Sequence, residues 1–273
     1  MMTIEAGFVE NKRDKVGRPN NKMIRKKKKC MRPKRRRVLQ KLFLSCREVF
    51  KGPGTVPLPR DVQKLCHILN RMKPEDVGLS KDLLFFQPGR EVKGTPRIMC
   101  TTIYKCKNFS LCIFFLPQTA VIPLHNHPGM TVFSKLLLGS MHIKSYDWAD
   151  SDKLEEPGPS TSVRLARLKA NAVFTAPCNT SVLYPTSGGN IHEFTALTPC
   201  AVLDVLGPPY SKEDGRDCNY YKDFPYSSHS DGDGEEEAKE RGSSYGWLEE
   251  IEMPEDLMDG VEYLGPPIRE TNC

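Results

Sequence analysis

Residues 109–147 read FSLCIFFLPQTAVIPLHNHPGMTVFSKLLLGSMHIKSYD. Short runs rich in Val, Ile, Phe, Leu and Thr alternate with Pro, Gly and Asn, and no stretch of helical spacing intervenes, which is the texture of consecutive β-strands joined by tight turns. The same texture extends on both sides. It predicts strands near 97–106, 109–116, 119–125, 130–138, 140–147, 162–167, 171–176, 180–185, 191–197 and 200–206. About ten strands at this spacing argue for a closed or two-sheet antiparallel barrel. Residues 149–160, polar and with two prolines, read as a loop dividing the barrel sequence.

Before the strands the period changes to that of a helix. From Val38, the residues Leu39, Leu42, Phe43, Cys46, Val49 and Phe50 fall on one face, and Gly52-Pro53-Gly54 stops the run. A second helix begins at Pro59, whose fixed φ suits a first turn, and carries Val62, Leu65, Cys66 and Leu69 up to about Met72. His67, beside that stripe, reads as a surface residue.

The charge is unevenly distributed. The net value is +6, yet residues 12–37 hold 15 Lys or Arg and one acid, Asp14, a local +14 that leaves −8 for the rest. A uniformly basic nucleic-acid-binding domain is excluded; an acidic body with a basic arm is expected. Residues 1–37 read as a disordered arm, serving as a solubilising tail, a nuclear import signal or a nucleic-acid patch. It has no interleaved aromatics to stack on bases, which argues against specific nucleic-acid recognition. Residues 38–273 form the folded domain, with an acidic Gly/Ser-rich disordered insertion at about 227–244. After it, Tyr245–Leu248 and Val261–Leu264 are apolar enough to return as edge strands.

No apolar run reaches the roughly 18–20 residues a membrane span needs, and the N-terminus lacks the pattern of a secretory signal. The ten cysteines are scattered with no CxxC pair, so neither a zinc ribbon nor a disulfide framework is expected. A barrel with covered edges needs no partner, so a monomer is expected.

His125-Asn126-His127 closes a strand, and side chains two apart on a strand share a face. Both imidazoles can reach one metal ion. His192 follows 65 residues after His127 on another strand; barrel closure would bring it to the pair, completing a facial triad with open ligand positions. His142, on the face shared by Lys144 and Tyr146, stays outside the site, and His229 lies in the acidic insertion.

These motifs carry a family resemblance. Pro123–Thr131, Gly139-Ser140-Met141-His142 and Tyr146-Asp147-Trp148 resemble the first motif of a cupin, and in particular the thiol dioxygenases called plant cysteine oxidases, relatives of animal 2-aminoethanethiol dioxygenase. The likeness continues through Gly189–Phe194, Asp204–Tyr210 and Cys218–Tyr221, over roughly residues 38–268. It implies a mainly β fold, the cupin double-stranded β-helix or jelly-roll-like barrel, with N-terminal α-helices. Where a common cupin has a fourth, carboxylate ligand after the second histidine, this chain has Thr131 and Val132, and Ala196 stands where Asn is usual. The donor set is then neutral, and Fe(2+) bound there keeps its charge for an anionic thiolate.

What the resemblance implies is a non-haem Fe(II) enzyme that uses O2 to oxidise the N-terminal cysteine of target proteins to sulfinic acid, feeding oxygen-dependent N-degron degradation. The expected targets are ethylene-response-type transcription factors, and the expected location is nucleus and cytoplasm. Asp204, in an apolar strand, would orient the substrate's amino group or a water, and Tyr210 would present its hydroxyl. Cys218 and Tyr220, two apart, would share a face if extended, and related thiol dioxygenases can carry a Cys–Tyr thioether; a free, buried Cys218 is the state expected here. Three alternatives stay open: a dioxygenase of small thiols such as cysteamine or free cysteine, a His₃ zinc enzyme of the same fold, and a non-enzymatic barrel brought to DNA by its arm. No arginine is evident beside the histidine motifs to hold a free amino acid's carboxylate.

Overall fold

The computed structural model describes residues 36–86, 97–149, 163–226, 244–254 and 257–270. The basic arm and the acidic insertion lie outside the described residues, apart from the first turn of the leading helix and Ser244. Two helices, α1 (Arg36–Val49) and α2 (Pro59–Asn70), precede twelve strands. These are β1 (Ile98–Lys105), β2 (Ser110–Leu116), β3 (Val121–His125), β4 (Thr131–Leu138), β5 (Ser140–Trp148), β6 (Val163–Thr175), β7 (Ser181–Leu183), β8 (Ile191–Ala196), β9 (Cys200–Gly207), β10 (Tyr220–Pro225), β11 (Tyr245–Ile251) and β12 (Met258–Gly260). One six-stranded sheet runs β12-β1-β2-β9-β4-β7, and the second, β10-β11-β6-β5-β8-β3, closes on itself. This is the expected cupin architecture.

Strand β9 shows how the first sheet works. All eight of its residues are buried. Ala201, Leu203 and Val205 pack outward with Leu42, Phe43, Leu65 and Leu69 of the helices. Cys200 and Val202 face inward, against Met141, Phe194 and Ala196 of the second sheet. Strict period-2 alternation over an apolar strand therefore fills two cores at once. Each fully buried Leu or Phe contributes on the order of 1.5–3 kcal/mol.

The second sheet also has two faces. Ile122, Met141, Phe194 and Ala196 turn toward the first sheet, whereas Leu124, Tyr146, Ala166, Ile191, Tyr221 and Leu248 fill the lumen made when β10 and β11 close the sheet. Lys144 pairs across that lumen with Asp223, which also accepts from the Tyr146 hydroxyl at 3.0 Å.

Four sequence expectations need correction. Residues 162–167 and 171–176 belong to one long strand, β6, partnered by β11 along its first part and by β5 along the rest; its charged residues break the apolar pattern because one side of it is largely exposed. Residues 220–225 form β10, which the pattern did not flag. Tyr245–Leu248 sits between β10 and β6, not at an edge. Val261–Leu264 is not a strand: Met258–Gly260 pairs with β1 instead, and the following segment lies on the turn at Val77-Gly78, where Gly265 approaches closely. His67 is exposed, as expected.

Candidate metal centre

His125 is the last residue of β3, and a bulge sets its direction. Ile122 pairs with Phe194 and His125 with His192, so three steps on β3 match two on β8. The extra residue puts Leu124 into the lumen core and His125 on the same face as Ile122. His127 lies beyond the strand, so its placement does not come from strand alternation as the sequence suggested. It comes from two asparagines. Asn126 turns away from the site, donating to the Tyr221 hydroxyl at 3.1 Å and accepting from the Asn219 N–H at 2.9 Å. Asn190 accepts from the His127 N–H at 3.1 Å and donates to the carbonyls of His127 and Tyr184, at 3.0 and 2.7 Å.

The three rings meet. Ring centroids are 4.8 Å apart for His125 and His127, 4.8 Å for His125 and His192, and 4.7 Å for His127 and His192. One ligand atom from each lies within 4.8 Å of the others. Nδ1–H of His125 donates to the Pro123 carbonyl at 2.8 Å, and Nδ1–H of His127 to the Asn190 carbonyl at 3.0 Å. These bonds fix the tautomer and leave the Nε2 lone pairs free, the arrangement typical of metal-ligating imidazoles. Burial pushes His125 down to about 4 and His127 to about 3, and holds His192 well below the usual histidine value. The three are neutral at physiological pH. Three neutral imidazoles with no carboxylate among them suit a first-row divalent ion.

A second tier holds the ligands in place. The Asp147 carboxylate accepts from the N–H groups of Gly189 and Asn190, both at 2.9 Å. Neither Asp147 nor Asn190 was singled out from the sequence, although both stand inside the motifs quoted above. His192 stacks on Phe194, centroids 4.4 Å apart at 23°.

Asp204 is 4% exposed and faces the barrel interior, in register with Ser134 on β4 and Cys112 on β2. The Ser134 hydroxyl lies near enough to favour the charged form of the carboxyl, while Oδ1 has no hydrogen-bond partner. Burial raises the group to about 7. Tyr210 places its ring 5.6 Å from that of His127 and donates its hydroxyl to the Asn126 carbonyl at 2.8 Å. Cys218 is a free, half-buried cysteine; burial pushes its thiol pKa up, and the Tyr210 and Tyr220 hydroxyls act in the opposite direction. The Tyr220 ring lies 6.1 Å from His125, its register partner. His142 stays outside, bonded to Asn171 at 2.7 Å. The structure also supplies an arginine missed in the sequence: Arg216 packs on Gly129, two residues past His127, and donates to the Pro209 carbonyl and the Asp214 carboxylate.

The PCO_ADO family model matches residues 68–268. Plant cysteine oxidase 2 of Arabidopsis thaliana is 49% identical over 259 residues, covering 92% of this chain and 91% of its own length. Plant cysteine oxidase 1 of the same organism is 48% identical over 240 residues, covering 85% and 80%. Human 2-aminoethanethiol dioxygenase is 31% identical over 188 residues, covering 63% and 68%. With a match that takes in more than half the chain and every residue of the site just described, the protein belongs to the PCO_ADO family.

Proposed function

We propose that the chain is a thiol dioxygenase in which His125, His127 and His192 hold Fe(2+), and that its substrate is the N-terminal cysteine of a protein. The net reaction adds both atoms of O2 to the thiol, R–SH + O2 → R–SO2H, a step on the cysteine oxidation ladder that is not ordinarily reversed. The observation that carries this reading is the convergence of three neutral imidazoles with no carboxylate among them. When bound, ferrous iron supplies Lewis acidity toward the thiol and redox chemistry toward dioxygen.

The chain's own residues do the rest. The carbonyls of Pro123 and Asn190 hold the His125 and His127 rings so that Nε2 points inward. Asp204 presents an unpartnered carboxylate oxygen in the interior; a substrate α-ammonium would satisfy it, and the cation would draw its proton off. Tyr210, tied to the Asn126 carbonyl, forms a wall of the site beside His127. Arg216 donates to Pro209 and Asp214 through its two terminal nitrogens and keeps a buried Nε–H without a hydrogen-bond partner, so the choice between a peptide and free cysteine rests on the family resemblance and on the turnover comparison below. On the family resemblance, the product marks its protein for the arginylation branch of N-degron turnover. The targets are ethylene-response-type transcription factors, met in nucleus and cytoplasm, with the basic arm as the import signal.

The test is oxygen uptake by chain loaded anaerobically with Fe(2+) and offered a short Cys-initiated peptide. The expected result is a mass gain of two oxygen atoms on the cysteine, with slower turnover of free cysteine and cysteamine. Activity that persists with zinc alone and without O2 would overturn the reading.

A further inference from the structure

A largely apolar cavity of about 20 Å³, room for one molecule of the size of water or dioxygen, runs into the barrel from the surface between β5 and the segment before β7. Its rim is polar and open, formed by Cys178, Asn179 and Ser181. Its walls are Leu136, Met141, Ile143, Phe174, Phe194 and Val202. Met141, Phe194 and Val202 are 1%, 3% and 1% exposed, so the inner end is deep in the core. That inner end touches the metal centre at two points. Phe194 is the residue stacked on His192, and Ser134, also in the wall, is the register partner of Asp204.

We infer that this cavity is the entry and holding site for dioxygen, separate from the opening that takes the thiol. The inference rests on the dioxygenase reading above and assigns its gaseous substrate a route. A cavity lined by aliphatic and aromatic carbon stays dry and takes small apolar guests. Dioxygen is such a guest. A peptide terminus carries a charged ammonium and a string of amides, and its desolvation in these walls would go uncompensated. The polar partners suited to it, Asp204 Oδ1 and the Tyr210 hydroxyl, are not among the residues that line this cavity. Entry along the Phe194 side delivers dioxygen beside His192 without displacing a bound peptide. It also makes the walls a determinant of how enzyme rate follows oxygen concentration.

Xenon, an apolar atom of similar size, reports on the cavity without any turnover. Under xenon pressure the unaltered full chain should bind it against Phe194, Val202 and Met141. Asn179→Trp, at the exposed rim where folding is not at stake, should lose xenon and raise the KM for O2 about fivefold, with the KM for the Cys-initiated peptide and kcat at saturating O2 unchanged. Ile143→Phe, inside the cavity, should do the same. Absence of xenon from the unaltered chain overturns the inference, as does an unchanged KM for O2 in either variant once its fold is verified by its melting transition. Failure of the dioxygenase reading itself shows differently: the unaltered chain then takes up no oxygen with any thiol, whatever xenon does.

Discussion

Ser134 and Asp204 stand opposite each other in the register of β4 and β9, and the serine hydroxyl favours the charged form of the carboxyl. It leaves Oδ1 without a hydrogen-bond partner in the barrel interior. A carboxyl so placed keeps its proton until about pH 7 in the folded chain and loses it near pH 3.8 when unfolded. The stability this contributes is complete below the unfolded value and is lost as pH rises through 7. Asp204→Asn, neutral throughout, should match the parent at pH 4. At pH 8 it should be more stable by about 2–4 kcal/mol, measured by urea unfolding of metal-free protein. A difference that stays flat with pH would count against the assignment. Turnover of the Cys-initiated peptide should fall about tenfold or more in the same variant, chiefly through KM.

The three histidines predict the opposite slope. Their folded values lie below the ordinary 6.5, so the unfolded chain binds more protons between about pH 6.5 and 4. Their contribution is present above 6.5 and is lost as pH falls. The melting temperature of metal-free protein should drop steeply from pH 7 to pH 5, and His127→Gln should flatten that slope. An identical slope in the variant would refute the assignment.

Asn190 donates two hydrogen bonds and accepts one, all in support of the turn that carries His127. Asn190→Ala should weaken divalent-metal affinity by about 10–100-fold in a competing-chelator titration. It should also lower stability by about 2–3 kcal/mol, since buried carbonyls lose their partners. Unchanged affinity would mean that the turn is held by its other contacts alone.

Gly189 has a φ of +82°, and a Cβ there would meet the Ser145 hydroxyl at 2.5 Å and the Ser145 Cβ at 2.8 Å. Ser145 is the register partner of His192, so the strain falls on the wall of the site. Gly189→Ala should lower stability by about 2–4 kcal/mol and metal affinity with it. Gly215→Ala is the control: φ there is +65° with nothing near the added carbon, so only the backbone cost of about 1 kcal/mol applies. Equal losses in the two variants would remove the role given to Ser145.

The layers of the fold were legible wherever alternation was strict, as in Cys200–Gly207, because period-2 burial is written directly into residue type. The histidine triad was legible as a set of residues, the His125-Asn126-His127 triplet and the later His192, although a bulge and an asparagine-held turn, not alternation, aim the first two. What escaped was structure held by partners distant in sequence. Tyr220–Pro225 reads as YYKDFP, with Lys222 and Asp223 interrupting any apolar rhythm, and it becomes a strand because β11 pairs with it along its length. The β3 bulge has no marker beyond Pro123, yet it decides that His125 and not Leu124 faces the site. Arg216 was invisible because 89 residues of chain separate it from His127.

Strand β8 separates two chambers with unlike contents. His192 looks into one; its neighbour Glu193, half-buried and with its pKa raised by burial and by Asp223, looks into the other. Sliding this strand by a single position would exchange them, since neighbouring side chains lie on opposite faces. An imidazole would leave the donor set and a carboxylate would enter it. The chemical character of the centre is thus only one residue of registration away from that of an oxygenase with an anionic ligand, and the packing of Phe194 and Ile191 on either side is what keeps the distinction.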